Sequence, residues 1–124
     1  MSKILVIDDE VVLCKLFEKI LVPKGYTVLT AQNGLDGIKI NEESDPDIIL
    51  LDLKMPGLDG IDTLRRIREK DKDVIVVILT GYGNAATIRN AVELDVYEYA
   101  AKPFDNKMII NIIEEALASK EGEK

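Results

Sequence analysis

The sequence predicts an α/β fold in which a parallel five-stranded sheet carries helices on both faces. Three observations predict it. Strand and helix signals alternate about five times along the chain, the order that repeated strand–helix–strand units produce. The strongest strand signals are continuous apolar runs, Ile4 to Ile7, Ile48 to Leu51 and Val74 to Leu79, as expected of strands buried on both faces. Each run ends in polar or charged residues, Asp8-Asp9, Asp52 and Thr80-Gly81, at the carboxyl edge where open α/β sheets bind ligands.

The elements follow in order. After Asp8-Asp9-Glu10, the residues Leu13, Leu16, Phe17, Ile20 and Leu21 recur at helical spacing, and Pro23-Lys24-Gly25 ends that helix. Thr27 to Ala31 reads as a shorter, more polar strand suited to a sheet edge. Asn33 caps a second helix carrying Leu35, Ile38 and Ile40, which Gly34 and Gly37 weaken. Asp45-Pro46-Asp47 breaks the chain before the central strand, and Pro56-Gly57 turns it away afterwards. Ile61, Leu64, Ile67 and Arg68 mark the third helix, with a turn at Asp71 to Asp73.

Asn84 caps a fourth helix through Ile88, Ala91 and Val92, ending at Leu94-Asp95. Val96 to Ala101 is the other edge strand, leading to Lys102-Pro103. Asp105 caps the last helix, whose buried stripe is Ile109, Ile112, Ile113, Ala116 and Leu117. Residues 1–118 form one domain, and 119–124 read as a charged tail. With the apolar strands central, the polar ones outside and right-handed crossovers, the strand order is 2-1-3-4-5, the flavodoxin-like arrangement. Asp8, Asp9 and Asp52 then meet at its switch point.

Composition excludes several kinds of chemistry. The chain has no histidine and a single cysteine, Cys14, which removes histidine-based triads, an internal disulfide and cysteine-ligated zinc. A net charge of −7 gives no electrostatic footprint for nucleic acid. No run approaches the roughly 20 apolar residues of a membrane span, and Met1-Ser2-Lys3 leads straight into a strand. A cytoplasmic location is expected.

Four strand ends thus deliver three acids, the Thr80 hydroxyl and the Lys102 ammonium to one edge. Two carboxylates about 4 Å apart repel by about 4 kcal/mol at an effective dielectric near 20, so the acids need cations. Lys102 supplies one. Magnesium, or manganese in its place, suits the rest, because it takes a few carboxylates and keeps positions for phosphate oxygens. Such a site is arranged for phosphoryl transfer with Asp52 as nucleophile. A flavin phosphate would be repelled by Asp8-Asp9-Glu10. A haloacid-dehalogenase-like phosphatase wants a second acid two residues after the nucleophile, where this chain has Lys54.

With Asp8-Asp9, Asp52, Thr80 and Lys102-Pro103 on four strand ends, the chain resembles the receiver domain of bacterial two-component response regulators over about its whole length. Met55-Pro56-Gly57-Leu58-Asp59-Gly60 and Ala101-Lys102-Pro103-Phe104-Asp105 look most like single-domain phosphorelay intermediates of the sporulation type. Receivers of nitrogen-regulation-type activators look similar too.

The resemblance implies that Asp52 accepts a phosphoryl group from a phosphohistidine on a sensor histidine kinase or a histidine phosphotransfer protein. It implies that Asp9, Asp52 and the Lys54 backbone carbonyl hold magnesium, with Asp8 helping through water. Lys102 would pair with the phosphoryl oxygens, its bond to Pro103 being cis, and Thr80 would bind the phosphoryl group while Tyr99 swings inward behind it. Lys54 and Tyr82 would control water access. Where many members have Gly-Ala, this chain has Asp95-Val96, and Asp takes a left-handed turn less readily than Gly.

Val11, Val12 and Phe104 are the candidate docking surface for the phosphotransfer partner. The output would be a phosphorylation-induced switch acting on a downstream protein, the chain being a monomer or a phosphorylation-linked dimer. Beyond its own phosphorylation and dephosphorylation no catalysis is expected. The alternatives are a receiver cut from a longer DNA-binding regulator and a magnesium-dependent phosphohydrolase.

Overall fold

The computed structural model of the chain describes residues 2–81 and 83–122. Five strands and five helices alternate: β1 Lys3–Ile7, α1 Val11–Leu21, β2 Thr27–Ala31, α2 Gly34–Ser44, β3 Ile48–Leu51, α3 Gly60–Lys70, β4 Ile75–Thr80, α4 Ala85–Glu93, β5 Glu98–Ala101 and α5 Asn106–Gly122. The strands form one sheet in the order β2-β1-β3-β4-β5, and every pairing is parallel. The expected flavodoxin-like order is therefore the observed one. A 3-10 turn over Val22–Lys24, with Gly25 at φ 98°, closes α1.

Because successive strand side chains point to opposite faces, the apolar runs feed two cores. Ile4, Val6, Ile48, Leu50, Val77 and Leu79 meet Phe17 and Leu21 of α1 and Ile109, Ile113 and Ala116 of α5. Leu5, Ile7, Ile49, Leu51, Val76 and Ile78 meet Leu64 and Ile67 of α3 and Ala91 of α4. Full burial of each such side chain stabilises the fold by about 1.5–3 kcal/mol, which fixes the strands that carry the site.

The caps form as the sequence indicates: the side chains of Asn33, Asn84 and Asp105 accept from the backbone N–H groups of Asp36, Thr87 and Met108. Two helices bring only part of their apolar residues to the core: Ile38 and Ile40 of α2 pack against it partly buried, and Ala91 of α4 lies within it. Leu35 of α2 is 61% exposed, and the residues α2 buries are Gly34, Gly37 and Asn41. The glycines are the reason. A Cβ at Gly37 would run into the side chain of Ile7, and one at Gly34 into Thr63, so their absence lets α2 lie close against β1 and α3. On α4, Ile88 and Val92 are exposed and Ala91 alone is buried.

The charged stretch from residue 119, expected as a tail, continues α5 as far as Gly122. Ser, Lys and Glu do not end a helix, and no glycine or proline stop intervenes before Gly122. Lys120 lies 3.6 Å from Asp47 there.

Arg68 of α3 is buried at the opposite end of the sheet from the predicted site. Its guanidinium donates to the carbonyls of Leu94, Val74 and Asp95 at 2.7–2.9 Å, and to that of Asp71 at 3.4 Å. Asp95 does take the left-handed conformation, φ 63°, with its carbonyl held by this arginine.

Candidate functional site

The sheet's carboxyl edge places the functional residues through backbone bonds. Asp8 N–H donates to Ala31 carbonyl and Asp52 N–H to Ile7 carbonyl, each at 3.0 Å, so both acids extend the strand ladders by one residue. Lys102 N–H donates to Thr80 carbonyl at 2.9 Å. The Lys102-Pro103 peptide is cis. Four parallel strand ends therefore converge, and Asp8, Asp52 and Thr80 are all buried there.

Lys102 is the hub. Its Nζ lies 2.8 Å from Asp8 Oδ2, 3.2 Å from Glu10 Oε1 and 3.5 Å from Asp52 Oδ2. Burial works against the ammonium, but the hydrogen bond to Asp8 and the charges of Asp8 and Asp52 outweigh it and hold its pKa above the usual lysine value. Asp8 is also pushed upward. Burial penalises its carboxylate, and the hydrogen bonds from Lys102 and from Glu10 N–H, the latter at 2.9 Å, offset this only in part. The Cys14 thiol, raised by burial, donates to Asp8 carbonyl at 3.4 Å and supports the loop.

A concavity of about 590 Å³ opens above these residues, lined by Asp9, Glu10, Asp52, Lys54, Met55, Pro56, Thr80, Gly81 and Lys102. The structure thus brings Asp8, Asp9, Asp52, Lys54, Thr80 and Lys102 to one place. Asp9 is exposed at its rim. Among the described residues, Asp8, Glu10 and Asp52 form a trio whose carboxylate oxygens lie within 4.8 Å of one another. Glu10 is the residue that sequence reasoning passed over, and its signal was only adjacency to the acid pair. Lys54 is exposed, its N–H 3.4 Å from Asp52 Oδ1.

A donor set of carboxylate oxygens with no imidazole and no accessible thiol fits a hard divalent cation and does not fit zinc. Such an ion would find Lys102 already among the acids.

Tyr99 is half-buried and packs against the core beneath α3 and α4. A Cβ at Gly83 would run into its hydroxyl, so this glycine lets the β4–α4 loop close over the ring. Tyr82 lies outside the described residues. Val11 and Val12 are exposed at 50% and 82%. Phe104 is half-buried and stacks on Phe17 with ring centroids 5.7 Å apart. A second concavity of about 430 Å³, lined by Glu10, Leu13, Leu16, Lys102, Pro103 and Phe104, adjoins the first.

Comparison with known proteins agrees with this geometry. The family profile described as the response regulator receiver domain matches residues 4–114. The chain is 36% identical over 119 residues to sporulation initiation phosphotransferase F of Bacillus subtilis, covering 96% of each chain. It is 38% identical to the transcriptional regulatory protein ResD of the same organism, across 88% of this chain and 45% of ResD. A solved CheY-like receiver domain from Methanospirillum hungatei superposes with a TM-score of 0.97 at 23% identity, covering 100% of this chain and 99% of that one, a likeness of fold.

Proposed function

The chain belongs to the receiver-domain family of two-component response regulators, a family of signalling domains, and from that premise we propose that Asp52 is the phosphoacceptor. The observation that carries this is the convergence on Asp52 of Lys102, Thr80 and a second buried acid at the mouth of one concavity. One Asp52 carboxylate oxygen attacks the phosphorus of a phosphohistidine; the new O–P bond forms as the N–P bond breaks, and the imidazole leaves to take up a proton. The donor is a sensor histidine kinase or a histidine phosphotransfer protein.

Each residue has a role in that step. Lys102, held at 3.5 Å from the nucleophile, balances the charge that the phosphoryl group brings. The buried Thr80 hydroxyl binds one of its oxygens. Asp8, Asp9, Asp52 and the Lys54 carbonyl would hold magnesium, with Glu10 beside them. When bound, the ion supplies charge neutralisation at the phosphoryl oxygens. Lys54, at the rim, restricts water. Withdrawal of Thr80 toward the phosphoryl group opens space that Tyr99 follows into, repacking the surface of α4, β5 and α5. Catalysis is confined to the chain's own phosphorylation and dephosphorylation.

Two settings fit. Coverage of 96% of the sporulation phosphotransferase favours a stand-alone phosphorelay or signalling protein. The match to less than half of ResD favours the alternative, the receiver of a longer DNA-binding regulator.

The deciding experiment is intact mass after incubation with a small phosphodonor and magnesium. Wild type gains one phosphoryl group and Asp52→Asn gains none; a gain in both overturns the choice of nucleophile. Docking is tested separately. The exposed Val11 and Val12, which directly precede the concavity-lining Leu13 on α1, support partner binding there, with Phe104 forming the concavity's wall. Replacing Val12 and Phe104 together by polar residues slows transfer from a phosphohistidine protein and spares labelling by the small donor. Equal loss in both assays counts against that surface.

A further inference from the structure

Glu10 occupies the N-cap position of α1, where a side chain usually accepts a hydrogen bond from the first turn, yet it makes no such bond. Its carboxylate reaches Lys102 Nζ instead, at 3.2 Å. An ammonium has three donors, and three carboxylates surround this one, those of Asp8, Glu10 and Asp52. Phosphorylation takes up Asp52's own contact, the longest of the three at 3.5 Å. The phosphoryl group brings three oxygens to the one donor so freed, so a second phosphoryl contact to the ammonium has to displace Asp8 or Glu10. Asp8 does not give way readily: it is the shortest contact, with a side chain only 4% exposed. Glu10 is 61% exposed, and water replaces lysine at its carboxylate with little loss.

The position of Glu10 adds to this. Glu10 and Lys102 line both the concavity over Asp52 and the apolar one beside it, so their ion pair is the ridge between the two. Anything that reaches Asp52 from the second concavity crosses it.

We propose that Glu10 is a positioning residue for Lys102, a latch that holds the ammonium at the lip of the site and releases it to the oxygens of an incoming phosphoryl group. The proposal rests on the receiver reading above. Glu10 touches neither the phosphorus nor the nucleophile, and acts through the lysine. It slows loading by competing for Lys102, and it shortens the life of the loaded state by drawing the lysine back.

The test is Glu10→Gln, which keeps the shape and removes the charge. Labelling of Asp52 by a small phosphodonor with magnesium speeds up about two- to fivefold, the range a partly exposed ion pair permits, and the phosphorylated form lasts longer by a similar factor. In a Lys102→Gln background the same substitution changes neither rate, because the residue it acts through is gone. In divalent-free buffer, the Lys102 ammonium protons of E10Q exchange with water faster than those of wild type, read from the side-chain 15N signal.

An unchanged or slower labelling rate in E10Q overturns the latch, as does an equal gain in the Lys102→Gln background, which marks a through-space charge effect. Unaltered ammonium exchange overturns it independently of any labelling. The Asp52→Asn control reads the premise: labelling that survives it removes the receiver reading and the latch together, whereas labelling abolished by it with no E10Q gain removes the latch alone.

Discussion

Two cations lie against opposite ends of the same sheet, and they are held in opposite ways. Arg68, at the amino end, directs its guanidinium onto the neutral carbonyls of Leu94, Asp95, Val74 and Asp71, with the charges of Asp95, Asp71 and Asp73 acting on it through space. Lys102, at the carboxyl end, is shared among Asp8, Glu10 and Asp52, so a single positive charge answers three negative ones. The first arrangement gives four hydrogen bonds to backbone carbonyls. The second stays deficient in positive charge, which is what a site for a phosphoryl group and a metal ion requires. Burying a charge serves structure when its partners are complete, and chemistry when they are not.

The larger expected effect tests the end clamped by backbone carbonyls. Arg68→Met keeps much of the apolar stem and removes the donors, leaving the carbonyls of Val74, just before β4, and of Leu94 and Asp95, between α4 and β5, without this partner. A loss of about 3 kcal/mol is expected, read as a lower denaturant midpoint with an unchanged slope. Labelling of Asp52 in the folded fraction stays at the wild-type rate, since Arg68 lies at the other end of the sheet. A loss under about 1 kcal/mol breaks the comparison, because the carbonyl clamp would then carry little of the stability at that end.

The sequence exposed the functional end more fully than the structural one. Asp8, Asp52, Thr80 and Lys102 stand where apolar runs stop, and parallel strands bring such stops together whatever the loops do. Arg68 was legible as a position on a buried helical face, but not as a clamp, because backbone carbonyls have no signature in a sequence. Glu10 was missed for a related reason: next to Asp8-Asp9 it reads as one more solvated acid, and only the return of β5 beside β4 brings Lys102 to it. Leu35, Ile88 and Val92 stand at helical spacing with residues that reach the core, yet they are exposed. On α2 the glycines took the core-facing side, and on α4 a single alanine sufficed.

The smaller effect tests the deficient end. Asp8 is 3% exposed, burial holds its carboxyl above the ordinary range, and the nearby Asp52 charge adds to that. Its charged form is therefore less favourable in the folded protein than in the unfolded chain. Asp8→Asn removes the charge at constant shape, and Lys102 keeps Asp52 and Glu10 as partners. In divalent-free buffer near neutral pH, the variant is expected to be more stable than wild type by about 1 kcal/mol, the usual gain on relieving strain at a functional site. Magnesium should reverse the order. A ligand bound by the folded state alone adds stability in proportion to the logarithm of its concentration over its dissociation constant, and the variant lacks one acid of the proposed magnesium set. Thermal midpoints of both proteins across a magnesium titration make the comparison. Curves that cross support a site whose repulsion is relieved by its ligand. Curves that stay parallel, with wild type above throughout, would mean that the Lys102–Asp8 pair is a structural contact like that of Arg68, and the two ends of the sheet would differ in composition but not in kind.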